Sequence, residues 1–136
     1  MTEKGVRRFS VSVPPKLLED FDKAIANMGY ERSKVIRLAM QNFLTEYRWT
    51  SENEKVGVGA LIMIYNHETK GVEETLTEIQ HEYRTVISAT THIHLDDQNC
   101  LEILAVKGDV KTTHSLAKKL MGARGVKQLK LAALTL

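Results

Sequence analysis

The sequence predicts an α+β chain of two small domains, and two patterns support this prediction. Residues 1–50 alternate once like a strand and then twice follow helical spacing. From residue 56 onward, apolar runs and helical spacings follow one another in the order βαββαβ. A chain of 136 residues with 43% hydrophobic content suits one ordinary domain or two very small ones, and two small units would depend on oligomerisation.

The first predicted strand covers residues 6–13, where polar and apolar side chains alternate. The two faces carry Arg8, Ser10 and Ser12 on the polar side and Phe9, Val11 and Val13 on the apolar side. Pro14 and Pro15 end the strand and can open a helix, because proline is tolerated in a first helical turn.

Two helices follow the prolines. The first helix is predicted to open at the prolines, its apolar positions at helical spacing run from residue 17 to residue 28, and Gly29 is placed to end it as a left-handed cap. We expect Ser33 to be the N-cap of a second helix, whose apolar positions run over residues 35–44. The first domain, residues 1–49, therefore reads strand, helix, helix.

A lone strand in so small a unit needs a second copy of the chain to complete its hydrogen bonds. Two antiparallel strands would form a ribbon that fits the DNA major groove, with Arg8, Ser10 and Ser12 facing the bases. Residues 1–50 also carry nine Lys and Arg against six Asp and Glu, a mild basic excess. The pattern resembles the ribbon-helix-helix fold of dimeric repressors, and the alternative is a plain dimerisation edge.

Residues 50–55 are polar and predict a linker to a second domain over residues 56–136. In this domain we predict a strand over VGVGALIMIY, a helix over residues 72–83, a hairpin, a helix over residues 109–121 and a final strand VKQLKLAAL. The order matches the ferredoxin-like arrangement, in which both helices cover one sheet face and leave the other bare.

The predicted hairpin has a register that follows from its pattern. A polar turn over residues 96–99 joins the two strands, and keeping Ile93 opposite Leu101 sets all the other cross-strand pairs. The pairs that result are His94 with Cys100 and His92 with Glu102.

This register predicts a transition-metal site. Two imidazoles and a thiolate suit a borderline-soft ion, and the Glu102 carboxylate could accept the free N–H of a ligating imidazole. The alternative is that the histidines bind nothing and that Cys100 is a small buried hydrophobe. A single cysteine also fits a reducing compartment, where its thiolate stays available to a metal.

Side-chain parity predicts which sheet face carries the site. Residues 87, 89, 91, 93 and 95 form a mostly apolar parity that we expect to face the core, so the histidines would lie on the bare face. His81 lies on a helix that would pack on the opposite face, so it could be a ligand only from a neighbouring subunit. Otherwise His81 is an ordinary solvated histidine, as we expect for His67 and His114.

Composition and motifs also exclude several classes. No apolar run is long enough to span a membrane and the N-terminus has no secretory signal, so we expect a cytoplasmic protein. No nucleophile–base pair or phosphate-binding glycine loop is present, and VGVGA lacks the GxGxxG spacing. We therefore expect a protein that is not an enzyme.

The whole chain resembles the nickel-responsive transcriptional regulators, which join a ribbon-helix-helix domain to an ACT-like domain. The resemblance rests on the ordered set His81, His92, His94 and Cys100, followed by Glu102. It implies a homotetramer in which one planar Ni²⁺ site per subunit takes those four ligands, His81 coming from a neighbour. Some relatives hold a further cation with acidic residues at the positions that align with Lys34 and Leu38 here, so the resemblance does not imply that site for this chain.

The resemblance also implies a function. Nickel binding would favour binding of the tetramer to a palindromic DNA operator through Arg8, Ser10 and Ser12, and would repress nickel-uptake genes. Nickel is identified by the resemblance, since the ligand set alone suits zinc or copper as well. Two alternatives are an amino-acid-sensing ACT regulator and a ribbon-helix-helix antitoxin.

Overall fold

The computed structural model describes residues 5–50 and 55–134, which divide into two units between Asn42 and Phe43. Residues 51–54, most of the predicted linker, lie outside the described residues. No helix in the described part of the chain is long and apolar enough to cross a membrane.

Helix α1, Pro15–Met28, begins and ends where the pattern predicts. Proline occupies its first turn, and Gly29 closes it in the left-handed conformation with φ 71°. Helix α2, Arg32–Thr50, begins earlier than predicted. The carbonyl of Glu31 accepts the amide N–H of Val35 at 3.2 Å, so Glu31 occupies the N-cap position. Ser33 lies inside the first turn, and its prediction as the N-cap was wrong.

The strand predicted over residues 6–13 is not formed in the single chain. Residues 6–14 are neither helical nor paired in a sheet. The described part of this unit otherwise consists of two helices and the turn between them, so it offers no second strand to complete the hydrogen bonds of this segment. The prediction already required a second copy for that pairing.

The second unit has the predicted βαββαβ order and forms one antiparallel sheet. Its strand order is β2-β3-β1-β4. The elements are β1 Val56–Asn66, α3 Val72–Glu82, β2 Ile87–His94, β3 Asn99–Asp109, α4 Val110–Gly122 and β4 Val126–Leu134. The final strand matches the predicted segment residue for residue, and the α+β fold is confirmed.

The core lies between one sheet face and the two helices. Its buried side chains come from α3, α4 and the central strands, and include Leu76, Leu116, Leu120, Leu61, Met63, Tyr65 and Leu104. Asp109 caps the start of α4 by accepting the amide N–H of Thr112 at 2.9 Å. The opposite sheet face is also apolar, with Ile62, Ile64 and Ile103 only partly covered by the single chain.

The prediction of which face carries the histidines was wrong. Cys100 and Glu102 are buried on the core face, and their cross-strand partners His94 and His92 share that face at the exposed edge strand β2. Both sheet faces are apolar, so parity alone could not identify the core side.

A β-bulge in β2 adds to the error. Ile87 pairs with Val106 on the core face, whereas Ala89 pairs with Ala105 on the other face, because the register shifts between them. The odd-numbered residues from 87 to 95 therefore do not all lie on one face of the sheet. Ile93, which is 42% exposed, lies on the bare face. Helix α3 covers the same sheet face as the histidines, so the prediction that it packs on the opposite face was also wrong.

Candidate metal centre

The predicted register of the β2–β3 hairpin is confirmed. His94 pairs with Cys100, Ile93 with Leu101 and His92 with Glu102. The turn is held by the Asp96 carboxylate, which accepts the amide N–H groups of Gln98 at 2.8 Å and Asn99 at 2.7 Å. The side chain of Asn99 also donates to it, and these hydrogen bonds lower the pKa of Asp96 to about 2. The carboxylate thus holds the two strands in register beside the histidines.

A sulfur and two imidazoles meet at the end of this hairpin. The Cys100 Sγ lies 3.3 Å from Nδ1 of His94. The ligand atoms of Cys100, His94 and His67 all lie within 4.8 Å of one another. A nitrogen–nitrogen–sulfur set of this kind suits nickel, copper or zinc. The described residues therefore fit a borderline-soft metal ion.

His67 is the residue that sequence reasoning missed, because we expected it to be an ordinary surface histidine. It follows β1 directly and is half-buried, and its amide N–H donates to the carbonyl of Gln98 at 2.9 Å. Asn66 pairs with Asn99, so the end of β1 lies beside the hairpin turn. The available signal was the β1–β3 pairing, which brings any residue after β1 toward Cys100.

His92 lies next to this group but does not join it. Its ring centroid is 5.1 Å from that of His94, and its Nε2 is 3.3 Å from the Tyr65 hydroxyl. Tyr65 is 1% exposed, and desolvation, followed by the charge of Glu102, raises its pKa. Tyr65 therefore keeps its proton and can donate a hydrogen bond into the site.

His81 is not brought to the hairpin within the chain. It is exposed on α3, where Nε2 lies 3.4 Å from a guanidinium nitrogen of Arg84. Among the described residues, it joins no group of three candidate ligands whose atoms lie within 4.8 Å of one another.

The buried thiol sets the electrostatics of the site. Cys100 is 0% exposed, and desolvation raises its pKa, helped by the charges of Glu73 and Glu102. A hydrogen bond with Tyr65 acts in the opposite direction. Because metals bind the thiolate, a metal that uses Cys100 must displace its proton.

Glu102 lies on the same side as His92 but is held by a helix residue. Its Oε1 accepts a hydrogen bond from the side-chain Nε2 of Gln80 at 2.6 Å, and Glu102 is only 6% exposed. Both residues line a pocket of about 230 Å³ that also contains Tyr65, Glu73 and His92. The expected bond from the carboxylate to an imidazole is thus replaced, in this structure, by one to Gln80.

The three residues predicted to read DNA are all on the surface. Arg8, Ser10 and Ser12 are exposed, but so are their apolar neighbours Phe9 at 65% and Val11 at 70%. The apolar side chains line a groove of about 530 Å³ with residues of α1 and α2 in the same unit. This unit leaves uncovered the face that was predicted to be internal.

The hairpin and His67 place three candidate metal ligands together on an antiparallel α+β domain, and comparison with known proteins gives the family. Residues 58–134 match the model of the NikR C terminal nickel binding domain. A relative from Methanocaldococcus jannaschii that carries the name nickel-responsive regulator is 43% identical over 135 residues, covering 98% of this chain and 94% of the relative. One of the same name from Pyrococcus horikoshii is 43% identical over 125 residues, covering 91% and 90%.

The chain belongs to the nickel-responsive regulators, a family of transcription factors and not of enzymes. The part of the second unit that matches the nickel-binding domain of that family is residues 58–134. Among solved structures, an uncharacterized protein from Thermotoga maritima aligns with a TM-score of 0.54 and 18% identity, over 60% of this chain and all of the other. That likeness concerns the fold alone.

Proposed function

We propose that the chain is a nickel-dependent DNA-binding repressor of nickel-uptake genes. One Ni²⁺ per subunit would be held by His92, His94 and Cys100, together with the partner subunit's His81. The observation that carries the proposal is the hairpin itself, in which the Cys100 Sγ and His94 Nδ1 lie 3.3 Å apart inside the family's nickel-binding domain. When bound, the ion would supply bonds that join side chains of two subunits.

The exposure of His81 supports its use by a second subunit. It lies on a helix surface with no cluster of candidate ligands among the described residues, so its imidazole is available to another molecule. His92 and His94 are also exposed at the sheet edge, where a partner can approach them. A site shared between subunits makes metal binding stabilise the assembly.

A second ligand set is favoured by a specific observation. The ligand atoms of His67, His94 and Cys100 lie within 4.8 Å of one another in one chain, whereas His92 joins no such set among the described residues. The two sets share His94 and Cys100, and differ in whether His67 or His92 is used. The family resemblance supports the set with His92, and the proximity of the ligand atoms supports the set with His67.

The exposed apolar surfaces support the assembly that the proposal needs. The groove formed around Phe9 and Val11 would be covered by a second copy of the first unit, which would pair the two segments as a ribbon. Arg8, Ser10 and Ser12 would then face the bases of a palindromic operator. The partly covered sheet face with Ile93 would pack in a homotetramer, and we expect the assembly to act in the cytoplasm.

Regulation follows from linkage. A ligand shifts an equilibrium only by its differential affinity for the two states, so the nickel ligands must be better placed in the DNA-competent assembly than in the alternatives. Operator binding must in turn tighten nickel binding by the same factor.

The test is a titration of a DNA duplex with the full chain, with and without NiCl₂, at one stated salt concentration because phosphate contacts make affinity salt-dependent. The duplex is selected from a random library with the nickel-loaded chain. We expect nickel to raise affinity, and His92→Ala or Cys100→Ala to abolish that gain while the apo protein stays folded. Exposed Lys118→Ala on α4 is the control.

His67→Ala decides between the two ligand sets. With the set that contains His92, nickel affinity falls at least about a hundredfold in His92→Ala and less than about tenfold in His67→Ala. The reverse order would assign the site to His67, and an unchanged nickel response in both His92→Ala and Cys100→Ala would refute the proposed function.

A further inference from the structure

The last turn of α2 contains a buried tryptophan. Trp49 is 2% exposed although it directly precedes the polar segment predicted as a linker. Its indole N–H donates to the backbone carbonyl of Leu134, the last residue of β4, at 3.1 Å. The end of α2 is therefore fixed to the second unit, to which residues from Phe43 onward belong.

His114 of α4 holds the same turn from another side. Its Nε2 lies 2.8 Å from the Trp49 carbonyl oxygen and donates to it, and the two rings make an edge-to-face contact with centroids 6.0 Å apart. Carbonyls in the last turn of a helix have no partner within the helix. His114 therefore supplies a hydrogen bond that the helix end cannot make for itself.

Gly57, near the start of β1, leaves room for the indole. A Cβ built on Gly57 would lie 2.5 Å from the Trp49 ring, so only glycine permits this close packing. The other end of β1 carries Tyr65, whose hydroxyl contacts His92. One strand thus touches the anchored helix end with its first residues and the candidate metal centre with its last.

We propose that Trp49 and His114 are positioning residues that couple the metal centre to the DNA-reading unit. Helix α2 is continuous from Arg32 to Thr50, so it starts in the first unit and ends on this anchor. A helix end attached only by a flexible linker would not respond to changes in the sheet, whereas an anchored end responds to them. This inference rests on the proposed function and adds the residues through which the two units communicate.

The experiment measures the factor by which nickel raises DNA affinity. The full chain and its variants are titrated against the library-selected duplex, once with saturating NiCl₂ and once with EDTA, and nickel affinity is followed by the Ni–thiolate absorption. Trp49→Phe removes the indole donor and keeps an aromatic ring. His114→Ala removes the imidazole that donates to the Trp49 carbonyl, and Lys118→Ala, at an exposed position of α4, is the control.

In Trp49→Phe and His114→Ala, we expect the nickel factor to fall at least tenfold, while nickel affinity and nickel-free DNA affinity stay within threefold of wild type. A role confined to stability would lower the melting temperature and leave the nickel factor unchanged. Variants that keep the wild-type factor overturn the inference alone. A wild-type chain whose DNA binding ignores nickel overturns both the inference and the proposed function.

A measurement on the wild-type chain covers the case in which the variants fail to fold. Trp49 is the only tryptophan, so hydrogen exchange of one indole N–H reports the anchor directly. Because coupling is reciprocal, nickel loading must slow this exchange, and we expect a reduction of at least fivefold. An exchange rate unchanged by nickel overturns the inference.

Discussion

The two units differ in how much of their apolar surface a single chain can bury. In the second unit, Leu61, Leu104 and Leu116 are 0% exposed in the core between the sheet and the two helices. In the first unit, Phe9 is 65% exposed, and within residues 5–42 only Ile25 is a buried hydrophobic residue. Both units follow clear amphipathic patterns, yet only the second has a complete core.

The difference supports the proposed pairing of the first unit with a second copy of itself. Large contiguous apolar surface is rarely left exposed in a monomer, and the groove around Val11 is the surface that the proposed second copy would cover. The second unit already buries a core within one chain, and in the proposed assembly a partner covers its bare sheet face and supplies His81. If the proposed assembly forms, it completes the apolar core of the first unit and the metal-ligand set of the second.

The most severe way to break the first unit is Val11→Asp. This change would bury an unpaired carboxylate in the paired ribbon, at a cost of several kcal/mol, so we expect DNA affinity to fall at least about a thousandfold with or without nickel. The Ni–thiolate absorption should persist, because the second unit keeps its own core. Val11→Thr, which keeps the shape of the side chain, is the control, and DNA binding retained by Val11→Asp would contradict a buried ribbon face.

The elements that sequence patterns predicted well are those fixed by local chemistry. The β2–β3 register followed from a polar turn and one apolar cross-strand pair, and the structure has the same pairs. The end of α1 followed from Gly29, whose left-handed conformation few other residues adopt. In each case a few neighbouring residues decide the outcome.

The features that were predicted wrongly or missed depend on distant parts of the chain. The core side of the sheet could not be identified, because both faces are apolar and a bulge shifts the register between Ile87 and Ala89. The approach of His67 to Cys100 depends on the pairing of β1 with β3. The burial of Trp49, in α2, depends on its contact with Gly57, in β1, and the periodicity of neither element predicts a contact between them.

A core substitution tests the claim that the second unit is complete in one chain. Leu104 is fully buried on β3, so Leu104→Ala should lower the free energy of unfolding of this unit by about 2–5 kcal/mol, through lost burial and the cavity left behind. Urea unfolding of the apo protein followed by circular dichroism measures it. The loss should not depend on protein concentration. A loss below about 1 kcal/mol, or one that disappears at high concentration, would mean that the core is completed by another subunit.

The smallest expected effect lies at the start of α4, where a cap inside the second unit contributes stability without any partner. Hydrogen bonds from the side chain and amide of Thr112 lower the pKa of Asp109 below its ordinary value of 3.8. A carboxyl with a lowered folded-state pKa stabilises the fold above its unfolded-state pKa, and this contribution is lost as the pH falls through the folded-state value. Asp109→Asn keeps a capping side chain but does not titrate. The difference in the free energy of unfolding between wild type and Asp109→Asn should therefore narrow from pH 6 to pH 2. Asp109→Ala, which has no capping side chain, should be less stable than Asp109→Asn at both pH values. Urea unfolding across this pH range measures all three proteins, and a gap between wild type and Asp109→Asn that is the same at both ends would show that the Asp109 carboxylate adds nothing beyond the cap.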